Sequence, residues 1–217
     1  MTVYAYAQIK GGVGKTTLAT NTAIERVIRG KRDVLLVDSD DQATATDFSN
    51  LRAELKGATG YTSIQLAGAA VRTQVLAQRG KYDDIVIDVG GRDTAALRSA
   101  LTVADIAIIP FQPRSFDVWV LEKVNALIAE ARGFNPDLIA VAVINLADPQ
   151  GADNKEAAEI IAASTEITYL QCPIGRRKAF GNAAGQGLSV LELHNQDSKA
   201  SMELKYLIDK LNEIIAR

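Results

Sequence analysis

The sequence predicts an α/β fold, a mostly parallel sheet with helices on both faces, and three observations predict it. Five short apolar runs rich in β-branched residues recur at 3–7, 34–37, 85–87, 106–109 and 138–144, too continuously apolar for strands with one wet face. Helix-period patterns lie between them. Each run also closes on polar residues: 10–17 after the first, then Asp38, Asp88, 110–112 and Asn145 after the others. In a parallel sheet these closures share one end, where such folds bind ligands.

Taken in order, run 3–7 leads into Lys10-Gly11-Gly12-Val13-Gly14-Lys15-Thr16-Thr17, which opens the helical pattern 16–29. Gly30 follows that pattern, Gly80 follows the pattern at 69–78, and Gly133 follows the one at 115–132, each where a left-handed helix cap is expected. Trp119 sits in the last of these patterns and is assigned to the core. Run 34–37 ends in Asp38-Ser39-Asp40-Asp41-Gln42, and run 85–87 ends at Asp88 with Gly90 and Gly91 beyond. Near the end of the sequence Leu204, Leu207, Ile208, Leu211, Ile214 and Ile215 recur at helical spacing. The residues between them, Lys205, Asp209, Lys210 and Glu213, carry both signs, which favours packing on the domain over a membrane-surface or dimerisation helix.

A chain of 217 residues with 47% apolar content and no Pro/Ser-rich or single-sign tract reads as one domain over 1–217. Its net charge of −2 gives no global attraction to nucleic acid, so any such affinity needs a local basic face. The single Cys172 excludes an internal disulfide and an iron–sulfur centre built by one chain, points to a reducing cytoplasm, and is assigned to the interior. His194, the only histidine, is assigned to the surface. No basic-then-apolar leader is present, and no apolar run approaches the roughly 20 residues of a membrane span. A soluble protein without stable membrane association is expected.

The octapeptide 10–17 carries the chemistry. Glycines at Gly11, Gly12 and Gly14 allow a tight turn in which successive N–H groups, Val13 included, surround a polyphosphate. Lys15 reaches the β- and γ-phosphates, the Thr16 hydroxyl completes a Mg²⁺ shell, Thr17 bonds a further phosphate oxygen, and the helix start aims its dipole at the same anion. The fold expected is therefore that of a P-loop NTPase. Ile9 replaces the first glycine of GxxxxGK[ST], and Lys10 is an additional lysine. The apolar run ending in Asp88 has the form of a Walker B strand, with Asp88 holding magnesium through water and Gly90 and Gly91 supplying a movable backbone. Asp38, Asp40 and Asp41 concentrate negative charge that a cation would offset; Asp38 is assigned to the metal shell and Asp40 to orienting the attacking water. Asn145 and Pro173 are candidates to line the adenine.

These residues resemble the ParA-type partition ATPases, members of the deviant Walker A group that also holds MinD. The specific parts are the loop 10–17 and Asp38-Ser39-Asp40-Asp41-Gln42, which is similar to the family's DxDPQ with aspartate for proline. Segment 105–113 with Asp117 resembles the third motif, and Ile174, Arg177, Phe180, Gly187, Val190 and Glu192 form a weaker match. The resemblance implies that Lys10 reaches across an ATP-sandwich homodimer to the partner's phosphates, that Asp40 activates water, and that the ATP-bound dimer binds DNA without sequence preference. It further implies a centromere-binding or cargo-adaptor partner that stimulates hydrolysis, and a cytoplasmic, nucleoid-associated protein that positions plasmids, chromosomes or large assemblies. Only one strand precedes the loop, so a helix-turn-helix extension is not expected. Arg176, Arg177 and Lys178, with Lys199 and Lys205, are the candidate DNA face, each contributing phosphate contacts or else merely a solvated charge. The competing readings are a MinD-like membrane-associated positioning ATPase and a metabolic ATP-dependent ligase.

Overall fold

A computed structural model of the chain describes residues 1–92, 94–113, 118–148, 152–193 and 198–216. The elements run β1 Thr2–Tyr6, α1 Lys15–Ile28, β2 Val34–Ser39, α2 Thr44–Lys56, β3 Thr62–Gln65, α3 Ala70–Gln78, β4 Asp84–Val89, α4 Ala95–Leu101 and β5 Ile106–Phe111. They continue α5 Val118–Arg132, β6 Ile139–Ala147, α6 Ala152–Ala162, β7 Thr168–Tyr169, β8 Ile174–Gly175, α7 Lys178–Ala184 and α8 Ser198–Ile215. The strands pair in the order β3-β2-β4-β1-β5-β6-β7, β8 also pairs with β6, and every pairing is parallel. β1 lies centrally between β4 and β5, so the loop that follows it opens at the middle of the sheet's C-terminal edge.

The five apolar runs became strands because both of their faces are covered. Val3, Ala5, Leu35, Val37, Ile85 and Ile87 pack toward α3, α4 and α5. The alternate residues Tyr4, Tyr6, Leu36, Val86, Ile106 and Ile108 pack toward α1, α7 and α8. Leu204, Leu207, Ile208 and Leu211 of α8 are wholly buried against that second face, so the helix spends its apolar stripe on the interior. Among the described residues no helix is long and apolar enough to cross a membrane.

Two expectations require correction. Trp119 is not in the core: it is 74% exposed near the start of α5. Of the three glycines expected in the left-handed region, only Gly80 is there, at φ +85. Lys31 takes the positive φ after α1, and Gly30 is wanted for closeness instead, since a Cβ on it would stand 2.6 Å from the Arg26 carbonyl. Gly133 is likewise close to the Glu130 carbonyl, at 3.1 Å. Cys172 is buried as expected. His194 and Asp117 lie outside the described residues, as does the start of the 115–132 pattern.

The weaker motifs prove to hold the fold together. Asp105 accepts the Val3 amide at 2.7 Å and pairs with Arg79. Glu192 forms a two-pronged ion pair with buried Arg52 at 2.8 and 3.0 Å, and Gly187 lies so close that a Cβ would stand 2.7 Å from the Arg52 Cα. The segment around Val190 is thereby tied to α2, the helix that follows the Asp40 turn.

Candidate nucleotide site

The loop 10–17 joins β1 to α1 as the glycine spacing demands. Gly12 and Gly14 take φ of +76 and +88, which only glycine adopts without strain. Gly14 is the residue preceding α1, and no side chain caps that helix, so its first N–H groups are left for an anion. Val13 is buried beneath the turn, whereas Gly11 and Gly12 are exposed. Lys10 is half-buried at the loop entrance, and its carbonyl accepts the Lys15 ammonium at 3.2 Å. Burial depresses the Lys15 pKa, while Asp88 and Asp40 act against that shift. A phosphate arriving here meets an ammonium whose charge burial disfavours and which a further anion would favour.

Around the loop lies a cleft of about 830 Å³ lined by Gly11 to Thr17 except Val13, by Ser39 to Gln42, and by Gly90, Gly91 and Arg92. Three dispersed segments thus meet at one place, as the strand-end rule required. Thr16 and Thr17 line it, half-buried, at the start of α1. Asp40 is half-buried, and its Oδ1 accepts the Gln42 amide at 3.0 Å, a local turn that holds the carboxylate at the cleft wall. Gly90 and Gly91 fit between these parts. A Cβ on Gly90 would stand 3.4 Å from the Asp40 carboxyl, and one on Gly91 would stand 2.9 Å from the Gly11 Cα and 3.3 Å from the Lys15 Nζ.

Asp88 closes β4 with its carboxyl fully buried, and neither oxygen has a hydrogen bond of normal geometry. Burial pushes its pKa up to about 7; the adjacent Thr16 hydroxyl lowers it and the neighbouring Asp38 raises it. An orphaned buried carboxylate beside a threonine hydroxyl is the donor set a hard divalent cation accepts, usually with water and phosphate oxygens completing the shell. Among the described residues no group of three His, Cys, Asp or Glu side chains is placed to hold a metal ion. Asp38 is also fully buried, but its oxygens are engaged: Oδ2 accepts the Thr46 amide and hydroxyl at 2.8 Å, and Oδ1 accepts the Asp40 amide at 3.1 Å. It fixes the Asp40 turn to the start of α2.

Asn145 stands under the phosphate loop and donates from Nδ2 to the Val13 carbonyl at 2.7 Å. A register shift between Asn145 and Ala147, with Leu146 at φ 57, bulges β6 there and re-aims the side chain toward the loop. Pro173 is exposed just before β8, the strand that pairs with Asn145. Of the basic candidates Arg176, Lys178 and Lys199 are exposed and Lys205 is half-buried, whereas the Arg177 guanidinium is engaged by Glu203, with Nε to Oε2 at 2.8 Å. Sequence reasoning missed Thr46 and Arg92. Thr46 left no signal, because it belongs to the helix after the Asp40 turn and no strand or helix period pairs it with Asp38. Arg92 did leave one, as the first side chain after the glycine pair that follows Asp88.

Comparison with known proteins agrees with this geometry. The family model described as the CobQ/CobB/MinD/ParA nucleotide binding domain matches residues 4–190. The Maintenance of carboxysome distribution protein A of Halothiobacillus neapolitanus is 30% identical over 215 residues, covering 97% of this chain and 95% of that protein. Among solved structures, the ATP complex of a Cyanothece McdA variant superposes with a TM-score of 0.77 at 18% identity, covering 98% of this chain and 96% of that one. Cobyrinic acid a,c-diamide synthase from Mycobacterium smegmatis, with a bound ATP analog and magnesium, gives 0.76 at 21% identity, covering 97% and 94%. The fold alone is therefore shared by positioning proteins and by a biosynthetic enzyme.

Proposed function

The chain belongs to the CobQ/CobB/MinD/ParA nucleotide-binding family, and from that premise we propose that it is an ATP-driven switch that positions DNA or another large cargo. It is a P-loop ATPase that works with ATP and Mg²⁺. The observation that carries the proposal is the cleft itself, where the lysine-bearing phosphate loop, the Asp40 turn and the Gly90–Gly91 segment converge within contact distance of one another.

In this reading Lys15 and the loop amides bind the β- and γ-phosphates, while Lys10, at the loop entrance, extends to the triphosphate held by a second copy. Thr16 and Asp88 would hold magnesium, with Asp38 acting through water. The metal supplies positive charge to the phosphates undergoing transfer. Asp40 orients the attacking water once its turn is drawn over the cleft. Pro173 and Asn145 flank the base. The ATP-bound homodimer binds DNA without reading sequence, through Arg176, Lys178, Lys199 and Lys205, with Arg177 supporting that surface from its ion pair. In that ATP-bound state the protein is on the nucleoid in the cytoplasm, and a centromere-binding or cargo-adaptor protein then stimulates a slow hydrolysis and releases the dimer. Likeness over nearly the whole chain to a carboxysome distribution protein supports positioning over small-molecule ligation. The burial of Leu204, Leu207, Ile208 and Leu211 commits most of the α8 stripe to the interior, which argues against laying that helix on lipid.

Retention on arbitrary duplex DNA, measured with ATP, ADP and no nucleotide, tests the proposal. Retention is expected only with ATP and is lost in Lys15→Ala. Equal retention in all three states overturns it, and ADP formation dependent on a metabolite instead of DNA or a partner would favour a ligase.

A further inference from the structure

Arg92 has no assigned task, and its surroundings give it one. It lines the phosphate cleft, is exposed, and makes no hydrogen bond or ion pair with any described residue. The backbone immediately before it is laid on the phosphate loop, with Gly91 in near contact with Gly11 and Lys15. Gly90 and Gly91 carry no side chains, so Arg92 is the first group that this segment can extend over the cleft, on the side that also presents Asp40.

Charge favours an anionic occupant for it. Asp40 and Asp41 line the cleft, and the Asp40 and Asp88 carboxyls both act on Lys15, the lysine that lines it. A triphosphate adds further negative charge, most of it on the terminal group. An arginine on the segment that lies against the loop adds a second cation to the one that Lys15 supplies, and its planar fork suits phosphate oxygens.

Resting on the ATPase reading above, we infer that Arg92 is a catalytic residue that contacts the terminal phosphate of the triphosphate bound by its own subunit. In hydrolysis, water adds to the γ-phosphorus as the bond to the bridging oxygen breaks. The electron pair leaves with ADP, and the water proton passes through Asp40 to the medium. Arg92 stabilises the charge spread over the equatorial oxygens during this exchange and loses its contact when inorganic phosphate leaves.

The test compares the wild type with Arg92→Ala and Arg92→Lys in Mg²⁺, using calorimetry with ADP and with a non-hydrolysable ATP analogue, together with single-turnover phosphate release. Expected for Arg92→Ala are ADP affinity within about twofold of wild type, analogue affinity lower by about tenfold, and turnover lower by about tenfold or more. Arg92→Lys should recover part of the analogue affinity. Equal loss for both nucleotides, or no loss for either, overturns the inference. Mixing Arg92→Ala with Lys15→Ala subunits settles which subunit supplies the group: continued low turnover is expected, and rescue would overturn the own-subunit contact. A wild type that does not hydrolyse ATP overturns the ATPase reading itself, a different outcome from normal turnover in Arg92→Ala.

Discussion

Asn145 holds the phosphate loop from beneath: its Nδ2 donates to the Val13 carbonyl at 2.7 Å, and the same nitrogen would stand 2.2 Å from a Cβ placed on Gly14. Glycine is required at position 14 twice over, by a φ of +88 and by this amide. The brace runs from the end of β6 to the loop after β1 and skips β5 between them. It therefore depends on the completed sheet.

Asn145→Ala should keep the fold and lose about 1 kcal/mol of stability, the usual net worth of one hydrogen bond. Nucleotide affinity should fall as the loop loosens, which a fluorescent ATP analogue would report. Gly14→Ala should abolish binding. The double variant should not restore it, because removing the amide relieves the clash and leaves the backbone strain; a restored double variant would show that the clash alone mattered.

Asp88→Asn should stabilise the nucleotide-free protein at pH 8 while removing magnesium-dependent turnover. The sign follows from the raised pKa: from an ordinary 3.8 to about 7, the folded state binds the proton more tightly than the unfolded one. That stabilisation is complete below about pH 4 and gone above about pH 7. The buried charge thus costs most at pH 8, where Asn should raise stability by on the order of 1–2 kcal/mol. Thermal melts at pH 8 and pH 5 check this, and a wild type and variant that track each other at both values would refute it.

Asp40→Ala should lower ATP turnover by about a hundredfold and leave nucleotide binding intact. The dimer and its DNA retention should persist longer after ATP addition than in wild type. Phosphate release together with light-scattering chromatography measures both. Undiminished turnover would assign the water to another group.

Arg176→Ala and Lys178→Ala should each weaken DNA retention and reduce its salt dependence by about one unit of slope. Arg177→Ala should differ, because its guanidinium is held by Glu203. Its main effect should be on the melting midpoint, worth about 1 kcal/mol after allowance for partial exposure. Identical salt slopes in all three variants would place the DNA face elsewhere.

What could be read in the sequence was what local spacing encodes. The five strands buried on both faces announced themselves as apolar runs. β3, with the sequence TSIQ and a single neighbour at the sheet edge, did not, and neither did the two-residue β7 and β8. The gathering of loop 10–17, Asp40 and Asp88 at one end of the sheet was legible because each lies at the C-terminal end of a strand. Asn145 on Val13 and Glu192 on Arg52 join residues remote in sequence, and Thr46 reaches Asp38 across the junction between a strand and the next helix; no periodic pattern foretells these contacts. Trp119 misled because helical spacing marks which residues can share a stripe and leaves open where the stripe ends.

A cradle that is pinned by Asn145 before any ligand arrives has met the entropic cost of its own ordering during folding. In the proposed reading, capture of the first two phosphates would then need little rearrangement, and ADP and ATP would share one seat. The difference between them is felt only where the third phosphate would extend, among the Asp40 turn and the glycine pair beneath Arg92. On that reading, telling spent from fresh nucleotide would fall outside the grip, to the Asp40 turn and the segment that carries Arg92.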